Sequence, residues 1–238
     1  MVWATDICRL FYQSVIHQRC VKRFPTGCKP IDEMLGGGIE VGAVTLFYGE
    51  AGCGKTNLCL QLAYRACQEG KKVAFVDTEG VSYDRSKQIF KDDKLLNNVL
   101  LFNVHSFQEQ SDRVSQISRM ASSGVLGMVI VDSLTMFYRL NYDDMGMRND
   151  FVRQTETLLN TARQYEIPVV ITSQVYTNIS TGSVEFLGGH AMHHNAKTII
   201  RLDPRGNGVR TAVIIKHRSL PEGRSAMFRI TADGLSDL

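Results

Sequence analysis

The stretch Val44-Thr45-Leu46-Phe47-Tyr48-Gly49-Glu50-Ala51-Gly52-Cys53-Gly54-Lys55-Thr56 decides the fold. Five residues rich in β-branched and aromatic side chains run into a complete G-x-x-x-x-G-K-T, and a helical pattern opens at Thr56. Strand, glycine-rich turn and helix, in that order, are the context in which a phosphate loop works. Glycines let successive backbone N–H groups wrap an oligophosphate, and the helix N-terminus adds favourable partial charge. Lys55 is expected to reach the β and γ phosphates, and the Thr56 hydroxyl to ligate Mg2+. The predicted cradle comprises Gly49, Glu50, Ala51, Gly52, Cys53, Gly54, Lys55, Thr56 and the next helical residue, Asn57.

Working outward, Leu58, Leu62, Ala63 and Ala66 share one side of a helix predicted over 56–69, and Gly70 is a suitable left-handed stop. Apolar runs at 73–77, 99–104, 126–132 and 169–174 predict further strands. They alternate with helices predicted at 107–122 and 149–165, the second barred from continuing by Pro168. This βαβ rhythm predicts an α/β fold, a mostly parallel central sheet with helices on both faces. Beyond residue 196 the pattern changes. Short β runs at 197–202, 211–216 and 226–230 are separated by Asp-Pro-Arg-Gly-Asn-Gly and Leu-Pro-Glu-Gly-Arg, which predicts antiparallel hairpins along one edge.

Three polar residues sit where nucleotide chemistry needs them. Asp132 ends the apolar strand that starts at Leu126, the position of a carboxylate that holds magnesium through water. Glu79, in Asp77-Thr78-Glu79-Gly80 just beyond the strand after the phosphate-loop helix, is the candidate base for an attacking water. Gln174, at the end of the strand that starts at Val169, is a neutral amide able to sense the γ-phosphate and pass its presence to the following loop.

The 238 residues, 44% hydrophobic and 21% charged, suit one large core, with 1–21 as an N-terminal extension of open role and 22–238 as the core domain. No apolar run approaches the ~20 residues of a membrane helix. Six cysteines without C-x-x-C spacing predict reduced thiols and a cytoplasmic protein. Cys53 reads either as a redox-sensitive thiol at a helix N-terminus or as a small filler. His190, His193 and His194 invite a zinc reading, but no cysteine or carboxylate neighbours them at structural-site spacing. The net charge of +3 is unevenly spread: eight basic residues between Lys197 and Arg229 face only Asp203 and Glu222. A basic C-terminal sheet is a candidate polyanion surface. Arg205 and Arg224, in predicted exposed turns, and Arg148, in the loop after Asp132, are the DNA-contact candidates.

Together with Thr26-Gly27-Cys28-Lys29-Pro30-Ile31-Asp32 and Leu35-Gly36-Gly37-Gly38-Ile39, the motifs GEAGCGKT, DTEG and VDS resemble the ATPase core of RecA/RadA-type recombinases over about residues 22–233. Leu187-Gly188-Gly189-His190-Ala191-Met192 and Ile215-Lys216-His217-Arg218-Ser219-Leu220-Pro221-Glu222-Gly223 are similar to the archaeal recombinase paralogues of that family. The resemblance implies a RecA-fold ATPase with weak hydrolysis of ATP. It also implies binding to single-stranded or branched DNA, and assistance to a cognate RadA-type recombinase in recombination and repair. By the same resemblance Arg85 packs on adenine, while Lys216 and Arg218 match a Lys-x-Arg pair that reaches the γ-phosphate of a neighbouring subunit, so a homo-oligomer is implied. Departures matter too: no Phe-x-x-Ala motif precedes the core, and the 176–186 loop has no Lys or Arg and carries Glu185. Two further readings stay open, a non-catalytic ATP-switched interaction module and a KaiC-like signalling ATPase without DNA function.

Overall fold

The computed structural model describes residues 21–140, 144–177 and 184–238. A two-residue pair, β1 (Arg23–Phe24) and β2 (Ile39–Glu40), brackets helix α1 (Lys29–Met34). The Asp32 carboxylate ties this segment together by accepting from Thr26 N and Oγ1, both at 2.7 Å, and from Gly27 N at 3.1 Å.

Among the described residues the main sheet has nine strands, and β8 (Val175–Thr177) and β9 (Val184–Phe186) form a separate antiparallel pair. Its parallel part places β10 (Thr198–Gly206), β3 (Val44–Tyr48), β7 (Val169–Ser173), β6 (Leu126–Asp132), β4 (Lys72–Asp77) and β5 (Val99–Asn103) side by side. Beyond β10, β11 (Val209–His217), β12 (Ser225–Thr231) and β13 (Gly234–Ser236) continue antiparallel to the edge. The expected α/β architecture and antiparallel edge are both present, as the alternation of strands and helices required.

Every residue of β3 and β7 is buried, the mark of strands covered on both faces. Phe47, Phe75, Ile130, Val170 and Ile200 face α2 (Lys55–Gln68), with α3 (Tyr83–Phe90) and the short α4 (Asp93–Leu96) beside it. Leu46, Val76, Val129, Val131 and Ile171 face α5 (Phe107–Ala121), α6 (Met145–Tyr165) and α7 (Gly189–Asn195). No helix among the described residues is long and apolar enough to cross a membrane.

Two boundaries differ from expectation. Helix α6 begins one turn earlier than residue 149, because the Asp144 side chain caps it by accepting from Met147 N at 3.0 Å; Arg148 therefore lies in the first helical turn and not in a loop. Strand β10 runs through Pro204 and Arg205 to Gly206, and only Asn207 and Gly208, both at positive φ, make the hairpin turn. Arg205 thus sits at an irregularity at the strand's end, donating to Thr211 Oγ1 at 2.9 Å, where an exposed turn had been expected.

Candidate nucleotide site

In parallel sheets ligands gather at the carboxyl ends of the strands, and this one obeys the rule. The loop after β3, the Glu79 turn after β4, Asp132 at the end of β6 and Gln174 just past β7 meet there. The loop is shaped for a close ligand. A side-chain carbon at Gly49 would lie 2.3 Å from the Leu202 carbonyl oxygen, and one at Gly54, whose φ is +103°, would lie 2.7 Å from Ile230. Only glycine fits these positions, so the loop can pack this closely against β10 and β12.

Lys55 is 7% exposed, and its ammonium donates to the carbonyls of Gly49 at 2.8 Å and Glu50 at 3.0 Å, holding the loop closed around its cation. The Thr56 hydroxyl donates to Asp132 Oδ2 at 2.6 Å, and Thr172 Oγ1 donates to Asp132 Oδ1. Asp132 is 1% exposed; burial pushes its carboxyl above the usual range, and the two hydroxyls oppose that shift. A hydroxyl and a hard carboxylate facing each other beside a cationic loop fit a small divalent ion such as Mg2+.

Glu79 is held by its neighbours. Its Oε1 accepts from Ser133 Oγ and from Gln174 Nε2, each at 2.8 Å, and the Gln174 side-chain Oε1 accepts from Arg139 at 2.6 Å. The turn itself is built by Asp77, whose carboxylate accepts the backbone N–H groups of Glu79, Gly80 and Val81 at 3.1, 2.8 and 2.6 Å. Thr78 pins β4 to β6 by accepting from Ser133 N at 2.8 Å and donating to its carbonyl at 3.0 Å. Burial raises the Cys53 thiol against the pull of Lys55, which favours the filler reading over the redox one.

Lys55, Thr56, Glu79, Asp132 and Gln174 are thus brought together. Arg85 lies at the flank of the loop, donating to Asn57 Oδ1 at 2.6 Å and to the carbonyls of Thr231 and Ala232 at 2.8 Å. Lys216 and Arg218 lie elsewhere: His217 pairs with Thr198, and Thr198 with Thr45 at the start of β3, so both cations are at the opposite end of the sheet. Arg224 is at that end too, donating to the Glu33 carbonyl at 3.1 Å. The basic C-terminal stretch is therefore two surfaces. Arg205 and Arg210 belong to the loop end, and Lys197, Lys216, Arg218 and Arg224 to the foot.

Sequence reasoning missed Asp77, Thr78, Thr172, Ser133 and Arg210. Thr172 was findable as one of the two hydroxyls that end an apolar strand. Arg210, which donates to the Gly52 carbonyl at 3.0 Å, gave no local signal. The three α7 histidines form no metal-holding group, nor does any other set of His, Cys, Asp or Glu among the described residues, although the His190 and His194 rings stack at 6.2 Å.

A doubly covered parallel sheet with a phosphate loop after β3 and an acid closing β6 defines a P-loop ATPase domain of the RecA-like class. The sequence profile described as Rad51 matches residues 17–238. The chain is 46% identical over 216 residues to the DNA repair and recombination protein RadB of Methanococcoides burtonii, covering 88% of this chain and 96% of that one. To RadB of Archaeoglobus fulgidus it is 42% identical over 215 residues, covering 89% and 96%. A crystal structure of the RadB recombinase superposes with a TM-score of 0.80 at 35% identity, covering 90% of this chain and 98% of that one. The chain belongs to the Rad51 family, and its relatives there are RadB proteins.

Proposed function

We propose that the core, residues 22–238, binds ATP with Mg2+ in this site, hydrolyses it slowly, and acts on DNA as an accessory to a RadA-type recombinase in repair and recombination, in the cytoplasm. The observation that carries this reading is the bond from Gln174 to Glu79, which joins the candidate base to the chain entering the 175–186 segment and, through Arg139, to the segment after Asp132. The presence of a γ-phosphate is thereby linked to two surface loops.

In this reading the N–H groups of the loop and the Lys55 ammonium bind the triphosphate, and Asn57 and Arg85 flank it. Thr56 and Asp132 would hold the magnesium ion, which neutralises charge developing on the phosphate oxygens. Glu79 takes a proton from the attacking water at a carboxylate oxygen, while Gln174 and Ser133 fix its orientation. Lys216 and Arg218 can reach a triphosphate only in another subunit, since their own is at the far end of β11, and this supports a homo-oligomer. Arg205, Arg224 and Arg148 remain the DNA-contact candidates. Hydrolysis measured alone, with single-stranded DNA and with the cognate recombinase is the test. Stimulation by either supports the reading; tight ATP binding with no turnover under any of these conditions replaces it with the non-catalytic switch.

A further inference from the structure

The foot of the sheet holds a cavity of about 650 Å³ at the end away from this chain's own phosphate loop. Lys22, Arg163 and Arg218 line it, with Glu166 and an apolar floor that includes Val41. These three cations come from three separate segments: the entry to β1, the last turn of α6 and the loop after β11. Arg218 Nε forms an ion pair with the buried Glu40 carboxylate at 2.6 Å, and Lys22 lies 3.9 Å from Glu166, both of the latter pair largely exposed. Beside them Lys197 donates to the His194 carbonyl at 3.0 Å, and Lys216 to the carbonyls of His193 and Ala196. Five cations thus gather around two carboxylates. Burial and the nearby Arg163 and Arg218 push the Lys197 pKa down, and burial with Lys197 nearby does the same to Lys216. Among the described residues these cations outnumber the carboxylates beside them.

We propose that this foot is a second anion site, separate from the phosphate loop, which takes successive phosphates of a DNA backbone. The planar guanidinium fork of Arg163 suits phosphate oxygens, and Lys22 and Lys197 add point charges around it. None of the described residues lining the cavity is aromatic, so this lining offers no base-stacking platform, and its chemistry selects backbone over base. Arg210 touches the phosphate loop and Lys216 the foot, and the six-residue step along β11 from one to the other separates the two sites by roughly 20 Å. A DNA strand at the foot therefore leaves the nucleotide site clear. The inference rests on the DNA-binding part of the proposed function and adds where the strand is held.

The test is fluorescence anisotropy of a labelled oligo(dT) with the full chain, at a series of salt concentrations, comparing wild type with Lys22→Gln/Arg163→Gln and Lys22→Arg/Arg163→Lys. Losing two single-strand contacts should lower the log-affinity versus log-salt slope by about 1.4, equivalent to about 25-fold weaker binding near 0.1 M salt. The charge-keeping pair should retain most of the affinity. Both side chains are exposed, and the melting temperature and ATP affinity of the neutralised pair should match wild type. Unchanged DNA affinity and slope in the neutralised pair overturn the foot site while leaving the DNA function intact. Loss of ATP-dependent self-association with DNA binding unchanged also overturns it, by assigning the cations to a second copy's nucleotide. Wild type that binds no DNA at any salt overturns the wider functional reading along with it.

Discussion

Asp77 provides the sharpest check on how the site is held. It is 6% exposed and touches no expected ligand, yet its carboxylate accepts three consecutive backbone N–H groups and so sets the turn that presents Glu79. Asp77→Ala removes both acceptor oxygens and with them all three bonds. Glu79 and Gly80 are exposed, so water replaces part of the loss, and a net value of about 1 kcal/mol per bond gives roughly 3 kcal/mol of lost stability. For a domain of this size that corresponds to a melting temperature lower by about 6–12 °C. Asp77→Asn should fall between, because one oxygen still serves two N–H groups while the amide NH2 faces the N–H of Val81. A turn released by even 1 Å costs a proton acceptor on the order of a hundredfold in rate, so hydrolysis should collapse in Asp77→Ala while ATP affinity stays near wild type. Differential scanning calorimetry and single-turnover hydrolysis read the two effects. An Asp77→Ala chain that melts within about 2 °C of wild type would refute the reasoning, because the three bonds would then carry no net stability.

Other outcomes follow from the same geometry. Lys55→Ala should weaken ATP binding by at least about a hundredfold in calorimetric titration, since charge-assisted bonds to phosphate are worth about 1.5–3 kcal/mol each. Glu79→Gln should keep ATP affinity but lower turnover by about 10²–10⁴, because the amide preserves shape without accepting a proton; equal turnover would remove Glu79 from the mechanism. Burial raises the Asp132 carboxyl, so the folded chain holds that proton more tightly than the unfolded one. The stability from this shift is full below the unfolded pKa and is lost as pH rises through the folded value. Asp132→Asn should therefore melt higher than wild type at neutral pH, with the gap closing toward about pH 4, and should lose the extra stabilisation that Mg2+ adds to ATP. Thermal melts across pH, with and without Mg-ATP, measure both.

Local chemistry was enough to read the strand, loop and helix from Val44 to Gln68, because glycine spacing and hydrophobic period act within one turn of chain. Asp132, Glu79 and Gln174 were legible for a related reason: each ends or follows an apolar strand, and the ends of parallel strands converge. The sequence alone also determined the antiparallel edge, through its turn residues, and the family, through motifs in order.

Tertiary structure decided the rest. That Thr172 and Thr56 share the two oxygens of Asp132 depends on β7 lying between β3 and β6, an order no local pattern encodes. Ser133 and Gln174 meet at Glu79 although 54 and 95 residues of chain separate them from it, and such contacts appear only when the sheet closes. The basic C-terminal stretch read as one surface, because charge counted along a chain ignores direction. Strand reversal at Asn207 and Gly208 sends Arg205 and Arg210 to the phosphate-loop end and Lys216 and Arg218 to the foot, where Arg163 and Lys22, remote in sequence, join them. A strand moves charge by about 3.4 Å per residue, so a hairpin places neighbours in sequence at opposite ends of the sheet and brings distant cations together.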